Sequence, residues 1–135
     1  MDDTSYSTGG LKDPSFDASL ETIAYAGFPQ VEVLGEEPHI GEPPIGNALL
    51  TFRRIVEKFG LRARTVHAPA GETVLGTTNK IWQREALNKL EGYIRFAGSI
   101  SATSIVIYPV PNPVFVPAPT TRPFLKRSKT ACVVH

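Results

Sequence analysis

The chain has 135 residues, with 14 Lys+Arg against 13 Asp+Glu and 41% apolar residues. That describes one ordinary domain with enough apolar content for a core, and it excludes a wholly disordered chain. No apolar run approaches the ~18 residues of a membrane helix and the N-terminus lacks a signal-peptide pattern, while a single cysteine, Cys132, excludes an intrachain disulfide and a Cys-based zinc cage. The expectation is a cytoplasmic domain with no membrane partner.

Charge and proline are unevenly spread. Residues 1–91 carry all 13 acids and 9 bases, whereas residues 92–135 carry no acid and five bases, Arg95, Arg122, Lys126, Arg127 and Lys129. Six of the 12 prolines fall between Pro109 and Pro123. Proline fixes φ and removes a hydrogen-bond donor, so no interior strand or helix runs through that stretch. The composition divides the chain into a folded body over residues 1–108 and a Pro-rich basic tail over 109–135, expected to be extended and disordered.

In chain order, the first strand should precede Asp13, where Thr4-Ser5-Tyr6-Ser7-Thr8 is the candidate. Asp13 as N-cap and Pro14 at the first helical position open a helix near 14–26, with Phe16, Leu20 and Ile23 on one face. Gly27 stops it and Phe28 follows as the apolar residue that folds back on the last turn. Val31-Glu32-Val33-Leu34 then reads as a strand. The pattern repeats: a helix near 46–59 with Ile45, Leu49, Phe52, Val56 and Phe59 on one face, a stop at Gly60-Leu61, and a strand near 64–67. A third helix near 79–98, capped by Thr77 or Thr78, sets Trp82, Ala86, Leu90, Ile94 and Ala97 on one face and leads to a strand near 103–108. Repeated helix-then-strand units give an α/β class with a parallel sheet and crossover helices. Periodicity leaves open whether that sheet is open or a barrel.

The stretches SLETIAYAGFPQVEVLG, Pro38-His39, FRRIVEKFGLRARTVHAP and REALNKLEGYIRFAGSISATSIVIYP together resemble xylose isomerase-like TIM barrels. These are the sugar phosphate isomerase/epimerase group, with an apurinic endonuclease branch. The resemblance spans roughly residues 4–109 and rests on the order and spacing of the motifs. Two positions depart from it: Ser101 stands where a Gly is expected, and Tyr108 where the fourth strand ends in His. A complete barrel takes ~250 residues and eight units. The resemblance therefore implies a partial (β/α) barrel, about four parallel strands with three crossover helices, corresponding to the N-terminal half and followed by an unrelated tail, as from a truncated or frameshifted gene.

Barrel chemistry sits at the C-terminal ends of the strands, which singles out Glu32, His39, His67 and Tyr108 as substrate-binding candidates. The resemblance gives His67 to substrate contact, or to a metal in the endonuclease branch. Glu32, pointing opposite to Val31 and Val33, suits a hydrogen bond to a sugar hydroxyl; the bland alternative is a solvated strand residue. His39 matches a Pro-His placed over the site in some members, against the alternative of a solvated acidic loop with Glu36, Glu37 and Glu42. Trp82 and Tyr93 read as helix packing rather than ligand stacking. Gly71–Gly76 reads as a flexible loop without a phosphate-binding glycine pattern, and the basic cluster at 126–129 as a solvated tail, so no nucleic-acid partner is expected.

The resemblance implies a divalent metal, Mn, Mg, Co or Zn. A phenol at 108 is a poor ligand for one, and this fragment is expected not to bind it. Three functions remain open. The first is sugar isomerisation or epimerisation by proton transfer on a small sugar or sugar phosphate. The second is an inactive half-barrel that self-associates through exposed sheet edges, possible as a homo-oligomer. The third is an interaction module whose Pro-rich tail offers a polyproline II ligand.

Overall fold

A computed structural model describes residues 3–11, 15–109 and 132–134 of the chain. The element order is β1 (Ser5–Ser7), a short 3-10 turn (Thr8–Gly10), α1 (Phe16–Tyr25), β2 (Gln30–Leu34), α2 (Gly46–Lys58), β3 (Arg62–His67), α3 (Lys80–Ser99), β4 (Ser104–Ile107) and β5 (Cys132–Val134). β1, β2, β3 and β4 are parallel and adjacent in chain order. Consecutive parallel strands joined by crossovers of one hand set all the helices on one face of the sheet. This is the α/β arrangement of a partial TIM barrel, and the three strands expected from periodicity are all present and parallel.

The helix stops follow from backbone chemistry. Gly27 and Gly60 take φ of +89° and +68°, and the next residue's N–H closes back on the helix, Phe28 to Ile23 O and Leu61 to Val56 O. α3 ends the same way, with Ala102 N donating to Ala97 O, but the left-handed residue is Ser101 at φ +59°. A side chain at that position is strained where glycine is not. The N-caps differ from expectation. Asp13 and Pro14 lie outside the described residues, and α1 is capped by Ser15, whose Oγ accepts from Ala18 N. α3 is capped by Asn79 rather than Thr77 or Thr78, because the Asn79 carboxamide accepts from both Ile81 N and Trp82 N.

The core lies between the sheet and the helices. Val31, Val33, Ala63, Val66 and Ile105 from the strands meet Leu20, Ile23, Phe52, Val56, Leu90, Tyr93 and Phe96 from the helices. One phenyl ring from each helix forms a chain: Phe16 stacks on Phe52 at 5.2 Å, and Phe52 meets Phe96 edge-on at 5.1 Å. The buried stripe of α3 is Ala86, Leu90, Tyr93, Phe96 and Ala97, which corrects the expected one. Trp82 is 64% and Ile94 51% exposed, because spacings of four, three, three and one tilt the stripe away from both. Tyr93 is buried, as its packing reading required.

The tail, expected to be disordered, is described at its start and near its end alone. Residues 110–131 and 135 lie outside the described residues, but Cys132–Val134 form β5, antiparallel to β4 with Ile105, Val106 and Ile107 opposite Val134, Val133 and Cys132. β5 also covers one of the two sheet edges expected to be exposed. Among the described residues no helix is long and apolar enough to cross a membrane.

Candidate functional site

The strand faces alternate. Val31, Val33, Val66 and Ile105 turn to the helices, leaving Glu32, Leu34, Thr65, His67, Ser104 and Val106 on the opposite, inner face. There the polar residues form a hydrogen-bonded row. Ser5 Oγ donates to Glu32 Oε1 at 3.4 Å, Glu32 Oε2 lies 3.1 Å from His67 Nε2, and His67 Nδ1 lies 3.4 Å from Tyr108 Oη. Each of the first three strands contributes one member, and Tyr108 directly follows β4.

The register shows how the row is built. Ser5 is opposite Gln30, Glu32 opposite Thr65, and His67 opposite Val106. On every strand the partner in the row is two positions beyond the directly paired residue, so the row climbs diagonally toward the C-terminal strand ends. Beneath it, Thr65 Oγ1 and Ser104 Oγ lie 3.4 Å apart. The side chains of Glu32 and His67 remain partly open to solvent, so a ligand can reach them. An ionised Glu32 only accepts hydrogen bonds, which favours the tautomer with the proton on Nε2 of His67, and Nδ1 faces the phenol.

Three of the four sequence candidates, Glu32, His67 and Tyr108, thus meet on one face. His39 does not join their row. It is buried against α1, with its ring 5.9 Å from that of Phe16. Ser19 Oγ donates to Leu11 O and lies 3.3 Å from His39 Nε2, which leaves His39 Nδ1 without a partner among the described residues. The solvated-loop alternative for His39 is corrected: His39 N and Ile40 N both donate to Glu36 O, and this turn folds the loop back onto α1.

Sequence reasoning missed two supports of the site. Ser5 is one, although the alternation Ser5-Tyr6-Ser7 carried the signal. Tyr93 is the other: its one hydroxyl proton is shared between Gly35 O at 2.7 Å and Gly41 O at 2.5 Å, pinning the loop after β2. Burial, with Glu42, Glu36 and Glu37 nearby, pushes this phenol well above the usual tyrosine range. Gly35 N donates in turn to His67 O, so the pinned loop also fixes the end of β3. The Gly71–Gly76 loop is likewise tied down. Thr73 Oγ1 donates to Pro69 O, Gly76 N donates to Pro109 O, and Lys89 pairs with Glu72 and Glu42.

The donor set does not fit a divalent metal. Among the described residues no three His, Cys, Asp or Glu side chains converge. In the row, the carboxylate and the imidazole face each other rather than a common point.

No protein-family model and no curated protein matches the chain. Solved structures do. A xylose isomerase domain containing protein from Salmonella typhimurium is 21% identical with a TM-score of 0.58, covering 91% of this chain and 42% of its own. A D-psicose 3-epimerase solved in the presence of D-fructose is 16% identical with a TM-score of 0.59, covering 75% of this chain and 35% of its own. A 3-keto-D-glucoside 4-epimerase from E. coli is 13% identical with a TM-score of 0.58 over the same shares. The chain thus spans well under half the length of each. At these identities the likeness speaks for the fold, and the chain has the xylose isomerase-like TIM-barrel fold over part of a barrel.

Proposed function

We propose that this chain is the N-terminal half of a cytoplasmic sugar isomerase or epimerase barrel, of the kind that works on a small sugar or sugar phosphate by proton transfer once complete. The observation that carries the reading is the row Ser5–Glu32–His67–Tyr108, which climbs to the C-terminal strand ends, where such barrels hold their substrate. Aldose–ketose isomerisation and epimerisation move protons on adjacent carbons and oxygens, which needs acid–base groups held within a few ångström of the substrate. The row supplies groups that bind and orient hydroxyls and exchange protons with them.

By itself the chain is inert toward sugars in this reading. Four parallel strands are half of the eight that close a barrel. An open inner face leaves water to screen the charges that would stabilise a transition state. The test is to incubate the purified chain with Mn²⁺, Mg²⁺ or Co²⁺ and a panel of keto and aldo sugars, following both turnover and ligand-observed NMR. The expected result is weak sugar binding that His67→Ala removes, without turnover. Turnover lost in His67→Ala would overturn the inert half-barrel, and no binding of any sugar would overturn the substrate class.

A further inference from the structure

We infer that Tyr108, His67 and Glu32 form a proton relay that serves the oxygens of a hydroxy-carbonyl ligand, with Tyr108 as the group that meets the ligand. The inference rests on the sugar-site reading above and adds a direction and a terminal group to it. Three facts carry it. Glu32 Oε2 faces Nε2 of His67 at 3.1 Å, so the ring presents Nδ1, not Nε2, to its other neighbour. That neighbour is the Tyr108 hydroxyl at 3.4 Å. Ser5 Oγ donates to the other oxygen of Glu32, fixing the carboxylate at the far end of the row. An acid–base group, an imidazole and an orienting carboxylate in sequence form the arrangement by which side chains couple proton movements.

The proton balance closes without a co-reactant. When a ligand hydroxyl loses its proton, the O–H bond breaks and Tyr108 Oη takes the proton. The phenol's own proton passes to Nδ1 of His67, and the imidazolium so formed is paired with the Glu32 carboxylate. In reverse, Nδ1 returns the proton to the phenol oxygen while Tyr108 gives its proton back to the ligand alkoxide. The relay thus makes and quenches an alkoxide on the ligand without a net change in protons. Tyr108 touches the ligand, and His67 and Glu32 act through it as positioning residues.

The test is ¹⁵N NMR of the histidine-labelled full chain at alkaline pH, where an ordinary imidazole is neutral. The His67 signal is assigned by its loss in His67→Ala, and folding of each variant is checked by circular dichroism. The wild-type ring should be protonated at Nε2 alone. Tyr108→Phe should keep that tautomer but move the Nδ1 resonance downfield, toward a bare nitrogen, and Glu32→Ala should return the ring to mixed tautomers. A ring protonated at Nδ1, or a Tyr108→Phe spectrum unchanged at Nδ1, overturns the relay whatever the ligand. With D-fructose as probe, Nδ1 should respond in wild type and not in Tyr108→Phe. A fixed Nε2–H tautomer with no D-fructose response in either would discard the sugar reading and keep the relay.

Discussion

Tyr93→Phe removes one oxygen from a fully buried side chain and tests how the loop beside the row is held. The phenol's one proton is shared between Gly35 O and Gly41 O, so the variant deprives both carbonyls of it while keeping the ring in place. A buried polar group deprived of its partner costs about 1–3 kcal/mol, and for a domain of this size 1 kcal/mol lowers Tm by roughly 4 °C. The expected loss in Tm is therefore about 4–12 °C, read by urea and thermal unfolding with circular dichroism. The phenol also sets an alkaline limit. Its folded-state pKa is raised by burial and by nearby carboxylates, so its contribution is full below about pH 10 and is lost as pH rises from there toward the folded value, by up to ~1.4 kcal/mol per unit. Tyr93→Phe, having nothing to ionise, should show a flatter fall above pH 10 than the wild type. A stability loss below about 0.5 kcal/mol, less than a typical net hydrogen bond, with unchanged alkaline behaviour would refute the pinning argument.

Gly35→Ala places a Cβ 2.3 Å from His67 O and 2.7 Å from the Tyr93 ring, so it should cost about 1–3 kcal/mol in urea unfolding and disturb the His67 ¹⁵N signals as well. Ser101→Gly relieves a side chain at φ +59° and should raise stability by up to about 1 kcal/mol; a lower Tm would show that the strain is absent. Ser19→Ala strips a buried imidazole of its one hydrogen-bond partner among the described residues and should cost about 1–3 kcal/mol, whereas in a His39→Leu background the same change should cost much less. Equal costs in the two backgrounds would mean that the pair is not coupled.

Most of the fold was legible because each unit repeats one local rule. A left-handed glycine followed by an apolar residue ends α1 and α2, and the same geometry recurs at Ser101, where the letter changed but the backbone did not. The stripe of α3 was misread for a physical reason. Trp82 and Ile94 fit a spacing of four, but the helix turns Tyr93 and Phe96 inward instead, one to reach the Gly35 carbonyl and the other to meet Phe52. Periodicity gives the existence of a face, not its exact rotation, when apolar residues lie on both sides of it. β5 was illegible because pairing with β4 is a long-range choice that no local pattern around Cys132 signals.

The candidate site divides along the same line. Glu32, His67 and Tyr108 could be singled out one by one because each lies on or just after a parallel strand, and parallel strands bring their ends together. That they form one row depends on register, since each strand contributes the residue two positions beyond the one directly opposite its neighbour. A register slip by one residue turns every side chain to the other face, and no spacing within a single strand encodes it. Part of that register is set by a bulge between Val31 and Glu32, where β3 carries the extra residue Arg64. Arg64 Nη1 donates to Gln30 Oε1 and lies 3.8 Å from an Asp3 carboxylate oxygen. The irregularity sits at the edge of the row, where bulges re-aim the side chains that follow them. Without it Glu32 would stand opposite Arg64 rather than Thr65, and the alternation that delivers His67 to the inner face two residues later would fail.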